Sequence, residues 1–103
     1  MKNYITEFIG TFFLVLTIGL TGDPLAIGVM LMVMVYMGGH ISGAHYNPAV
    51  SIAMIFRGLL SIKEAINYIF SQLAGAFIAA ILVYWLNGEV MQVTPSNTAL
   101  VLQ

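Results

Sequence analysis

Asn47, Pro48 and Ala49 sit at the centre of the run Ser42-Gly43-Ala44-His45-Tyr46-Asn47-Pro48-Ala49-Val50, which interrupts a sequence otherwise built from long apolar stretches. Asparagine caps a helix through its side-chain oxygen, and proline suits the first helical position because its missing N–H has no intrahelical partner to lose there. A short helix therefore starts at Pro48. Its N-terminal end carries about half a unit of positive charge, which in a low dielectric repels cations and draws the oxygen end of a neutral dipole. Once the Asn47 side-chain oxygen is held by its own helix, the amino group is left to donate to a passing molecule. Aspartate would cap equally well, but it would offer no donor and would cancel the field. The plainer alternative is that Asn47 only caps a buried helix. Gly43 and Ala44 allow an extended backbone whose successive carbonyl oxygens can replace a solute's lost hydration.

Glu7 is the one acidic residue placed inside an apolar span. An intramembrane carboxylate is costly, rare and usually paired, and backbone N–H groups of the 42–50 run are its natural partners. The competing reading is a carboxylate near the membrane surface that reaches out to water, five residues after Lys2. His40 and His45 are the only histidines, with no acidic residue close in sequence, so they do not make a metal site. Met30, Met34 and Met37 fall on one helical face, and packing accounts for them better than a thioether path for a soft metal. No metal and no cofactor is called for. No nucleophile, base and orienting group can be assembled either, which speaks against an enzyme.

The elements that position these residues follow from composition. Of 103 residues, 60% are hydrophobic and 7% charged, with mean hydropathy +0.97, too apolar for the surface of a soluble domain. A net charge of −1 leaves no footprint for nucleic acid. Three spans are expected, at about 4–20, 24–39 and 66–86, each near the roughly 17–25 residues that cross a bilayer. Small residues of the third span, especially Ala76 and Ala80, suit close helix–helix approach. Residues 91–103 read as an outer loop or truncated connector. The N-terminus is not read as a cleaved signal peptide, because its apolar run is long and carries Glu7.

The stretch from Pro48 to Phe56 decides the topology. Nine helical residues cover ~13 Å, less than half of the ~30 Å hydrocarbon core. One arrangement merges residues 41–56 into a fourth span and puts Arg57 and Lys63 opposite Lys2. The other lets the chain enter, turn at Asn47 and return as a half-helix, with Lys2, Arg57 and Lys63 together on the cytoplasmic side. The second obeys the positive-inside rule and is preferred. The fold class is thus an all-α membrane protein of three transmembrane helices plus one re-entrant half-helix at about 48–56.

At these residues the chain resembles the aquaporin family, the major intrinsic proteins. The resemblance rests on Glu7-Phe8-Ile9-Gly10-Thr11, on the twelve residues from Gly39 to Val50, and on Gln72-Leu73-Ala74-Gly75-Ala76, and it covers nearly all of residues 1–90. It implies the first of two inverted repeats, each with three spans and a half-helix. By the same resemblance the carbonyls of Gly43, Ala44, His45 and Tyr46 line the cytoplasmic half of a pathway, and Glu7 supports the loop. Two asparagine donors, Asn47 here and one in the second repeat, would meet at the centre and orient water so that proton relay is interrupted. Pro48, Ala49 and Val50 complete the motif. Ile27 stands where many members carry a pore-facing aromatic, a departure that leaves glycerol or another small neutral solute open beside water. The second motif with its following arginine is not in these residues.

A lone repeat would expose unpaired backbone to lipid at several kcal/mol per group, so a second half is required. Either the chain is a fragment of a longer protein or two copies pair in opposite orientations, and the one-sided basic residues favour the fragment. The resemblance implies a homotetramer at full length, in the plasma or inner membrane. The expected function is half of a passive channel for water or small neutral solutes, excluding ions and protons. The alternative is a non-conducting membrane subunit that packs against another membrane protein.

Overall fold

The apolar spans fold as four helices in the computed structural model, which describes residues 1–93. Helix α1 covers Lys2–Thr21, α2 Pro24–Ser42, α3 Pro48–Phe56 and α4 Ile62–Val93, and no strand occurs among the described residues. Three of them are long and apolar enough to cross a membrane: α1, α2 and the Ile62–Gly88 part of α4. At ~13 Å, α3 is not. No continuous fourth span runs from 41 to 56, because α2 ends at Ser42 and four residues without regular structure and a bend at Asn47 precede Pro48.

Two Xaa-Pro steps set the helix starts. Asp23 caps α2, its carboxylate accepting from the N–H groups of Leu25 and Ala26 with Pro24 in the first turn. Asn47 caps α3 in the same way before Pro48. The charged cap lies in the exposed α1–α2 turn, while the neutral one lies at the tip of the half-helix.

The helix bounds differ from the hydropathy reading chiefly in α4, which starts four residues before residue 66. Ser61 accepts from the Glu64 N–H at 3.1 Å and its hydroxyl donates to the Glu64 carboxylate at 3.0 Å, a reciprocal capping arrangement that begins the helix in polar residues. At the other end α4 passes through Asn87 and Gly88 to Val93, so residues 91–93 continue the helix. The remainder of the expected connector, residues 94–103, lies outside the described residues.

Helix α1 packs against both α2 and α4, and α3 packs against α4. The buried face of α4 is Ala65, Tyr68, Gln72, Gly75 and Ala79, a stripe that keeps one side of a helix. This corrects the small-residue expectation by one position: Ala79 is fully buried and Gly75 buried, whereas Ala76 is half-buried and Ala80 exposed. A Cβ on Gly75 would lie 2.5 Å from the Phe8 carbonyl oxygen, so α1 and α4 touch there backbone to backbone. Apolar side chains elsewhere on the helices are exposed, including Leu25, Phe70, Phe77 and Trp85, as suits lipid or a further protein surface.

Candidate functional site

Residues 43–47 carry the backbone from α2 into α3 without regular structure. The extended conformation expected at Gly43 and Ala44 is not what forms. Gly43 has φ +90°, Ala44 +56° and Tyr46 +55°, so three of four consecutive residues are left-handed. Left-handed backbone in a non-glycine residue costs about 1–2 kcal/mol, and it persists here because the surroundings hold each N–H. Gly43 closes α2 by donating to the Gly39 carbonyl at 3.1 Å. Ala44 donates to Ser42 Oγ at 3.2 Å, His45 to Glu7 Oε2 at 3.1 Å, and Tyr46 to Glu7 Oε1 at 2.8 Å.

Glu7 is 0% exposed and does not reach water. Its carboxylate accepts from four donors, two per oxygen. Besides the His45 and Tyr46 N–H groups, these are Ser42 Oγ at 2.6 Å and Gln72 Nε2 at 2.8 Å. One buried carboxylate therefore ties together α1, the end of α2, the loop and α4. Such a charge without partners would cost several kcal/mol, which is why the donors converge on it.

The loop's donors and acceptors are treated differently. Every N–H from Gly43 to Tyr46 has a partner, yet no described residue donates to the carbonyl oxygens of Gly43, Ala44, His45 or Tyr46. In a membrane, carbonyls left this way are expensive, so four in succession call for water, a solute or a further protein surface. Gly43 is exposed, Ala44 and His45 are half-buried and Tyr46 is buried.

Asn47, itself exposed, has φ −161° and accepts from the Ala49 N–H at 2.7 Å through Oδ1. Its amino group is left as a donor at the tip of α3, beside Pro48 (half-buried), Ala49 (exposed) and Val50 (half-buried). Ile27, half-buried, stands apart from this constellation in the first turn of α2. His40 is exposed in the last turn of α2 and takes no part. Met34 contributes a backbone carbonyl, which accepts from the Tyr46 hydroxyl at 2.7 Å.

Four polar residues of the site escaped the reading from sequence as functional groups. Gln72, 1% exposed, bridges the carboxylate to the half-helix: one N–H goes to Glu7 Oε1 and the other to Ser51 Oγ at 3.0 Å. Ser51, fully buried, lies 2.9 Å from His45 Nδ1. Ser51 accepts from Gln72, and among the described residues His45 Nδ1 is the one acceptor within hydrogen-bond reach of its own hydroxyl hydrogen, an arrangement that favours an imidazole proton on Nε2. Ser42 and Tyr68 hold the loop's entry, the Tyr68 hydroxyl donating to the Ser42 carbonyl at 2.7 Å. A polar side chain inside an apolar span is by itself a signal of function or of helix contact, and Gln72 and Tyr68 carried it.

Comparison with known proteins agrees with the geometry. The sequence model of the family described as Major intrinsic protein matches residues 18–101. The chain is 38% identical over 98 positions to Aquaporin Z of Rhodopseudomonas palustris, covering 81% of this chain and 41% of that protein. It is 42% identical over 89 positions to Glycerol uptake facilitator protein-like 6 of Lactiplantibacillus plantarum, covering 78% of this chain and 41% of that protein. Aquaporin NIP1-1 of Arabidopsis thaliana is 38% identical over 94 positions, covering 78% of this chain and 32% of that protein. The chain thus spans 32% to 41% of the length of these relatives.

Proposed function

The chain belongs to the major intrinsic protein family, and from that membership we propose that it supplies one half of a passive transmembrane path for water or a small neutral solute such as glycerol, closed to ions and protons. It is an integral, multi-pass membrane protein. The observation that carries the proposal is the one-sided loop: N–H groups of residues 43–46 all turn inward, and the four carbonyl oxygens take no hydrogen bond from a described residue. A row of free carbonyls accepts from the hydrogens of water or of a hydroxyl, in place of the hydration lost on entry.

Selection against charge comes from two sources at one place. The N-terminus of α3 presents partial positive charge, and the Asn47 amino group adds a neutral donor without cancelling that field. A cation meets repulsion there, while a neutral oxygen accepts a hydrogen bond. A water held by that donor turns its own hydrogens away from the tip, which breaks a proton relay through the centre. Ile27, an aliphatic group in the first turn of α2, gives a less polarizable and wider outer constriction, which admits glycerol beside water.

By the positive-inside rule, Lys2, Arg57 and Lys63 support a reading with the N-terminus and the α3–α4 turn on the cytoplasmic side of the cell membrane. The second half of the path comes from a second repeat of a longer chain, and the assembled protein is a homotetramer with a path in each subunit. Osmotic swelling of vesicles carrying the intact protein tests the proposal. Faster swelling than in empty vesicles, in response to water or to glycerol gradients, supports it; swelling no faster than empty vesicles for both overturns it.

A further inference from the structure

Tyr46 is the loop residue whose side chain packs into the bundle. It is 3% exposed, and its ring fills a slot with a glycine on each wall, Gly10 of α1 and Gly38 of α2. A Cβ on Gly10 would come within 2.1 Å of the ring carbon Cε1, and one on Gly38 within 2.1 Å of the hydroxyl. The hydroxyl donates to the Met34 carbonyl of α2 at 2.7 Å. At the same residue the backbone N–H is drawn toward α1 by Glu7 Oε1 at 2.8 Å. The carboxylate thus pulls the loop into the bundle while the ring, seated on α1 and α2, holds it off.

We propose that Tyr46 is a positioning residue, a spacer whose ring sets how far the carbonyls of residues 43–46 and the Asn47 donor stand out from the α1–α2 face, and thereby the width of the path. The inference rests on the reading of the loop as a path for neutral solutes. It assigns the preference between water and a larger solute to a side chain that never touches either. A shorter side chain lets the loop sink toward α1 and widens the path; a methyl added behind the ring pushes the loop out and narrows it.

These two changes have opposite signs, which a role in stability alone does not. The experiment compares water and glycerol permeability of vesicles carrying equal amounts of folded intact protein. Tyr46→Leu raises the glycerol-to-water ratio by at least about threefold, and Tyr46→Phe, which keeps the ring, raises it less. Gly10→Ala lowers the ratio, and the double variant Gly10→Ala with Tyr46→Leu, in which the new methyl occupies space the ring has left, returns it toward wild type. Should Gly10→Ala not fold alone, the double variant against Tyr46→Leu reads the same effect. A ratio that stays fixed while both permeabilities fall together overturns the spacer role and leaves the path reading intact. A wild-type protein that passes neither solute overturns both.

Discussion

Gln72 Nε2 donates to Glu7 Oε1 at 2.8 Å across 65 residues of sequence, and the same nitrogen reaches Ser51 Oγ at 3.0 Å. A carboxylate on the first helix is thereby coupled through an amide on the last to the half-helix that carries Asn47. Glu7→Gln keeps the size of the side chain but turns one acceptor oxygen into a donor facing two other donors. Loss of two charge-assisted hydrogen bonds predicts a destabilisation of about 3–5 kcal/mol. Thermal unfolding of the detergent-solubilised protein checks it: a clear drop in Tm is expected, and an unchanged Tm contradicts the account of the carboxylate.

His45 is expected as the Nε2–H tautomer, because Ser51 spends its hydroxyl hydrogen on Nδ1. Nitrogen-15 NMR of histidine-labelled protein in lipid reports which ring nitrogen is protonated. Ser51→Ala removes the partner that fixes this choice and leaves a Gln72 N–H unpaired, so a mixture of tautomers and a loss of about 1–3 kcal/mol follow. A dominant Nδ1–H signal in the wild type would show that the chain of donors runs the other way.

Gly75 and Gly28 make a matched pair of helical glycines with opposite surroundings. A methyl at Gly75 meets the Phe8 carbonyl oxygen at 2.5 Å and the Phe12 nitrogen at 3.2 Å, both backbone atoms, while nothing lies within 4 Å of one at Gly28. Gly75→Ala is expected to cost about 1–3 kcal/mol by forcing α1 and α4 apart. Gly28→Ala gains about 0.5–1 kcal/mol from helix propensity, where lipid or a partner leaves it room. Equal shifts in Tm for the two would refute the close α1–α4 contact.

Ile27, half-buried in the first turn of α2, is the residue proposed to widen an outer constriction. Ile27→Phe is expected to lower glycerol permeability by about tenfold and water permeability less, since a pocket discriminates by about 1–3 kcal/mol per group of added bulk. Vesicle swelling with each solute measures both. A parallel fall in the two would place the constriction elsewhere.

The start of α3 was legible because Asn-Pro is a capping pair whose geometry depends on no other part of the fold. Glu7 was legible for a similar reason: a carboxylate in an apolar span demands partners wherever it lies. Helix α4 begins before the expected membrane span because Ser61-Ile62-Lys63-Glu64, a polar capping signal visible in the sequence, starts it outside the apolar run. The left-handed turns at Ala44 and Tyr46 were not legible, since neither residue prefers that conformation and only the converging donors and acceptors impose it. The choice of Ala79 over Ala80 for the buried face depends on which helix lies alongside α4, and spacing within one helix gives no phase.

In the proposed function, the tip of α3 passes neutral solutes and repels charge because Asn47 caps with an oxygen and keeps a free donor. Proton leak and water swelling, measured in the same vesicles for the wild type and for Asn47→Asp, test it most directly. Aspartate preserves the cap and the size, removes the donor and adds a negative charge beside the helix N-terminus. Fast water swelling with little leak is expected in the wild type, and a proton or cation leak raised by about tenfold or more in the variant. Equal leak in the two proteins, both conducting water, would contradict it.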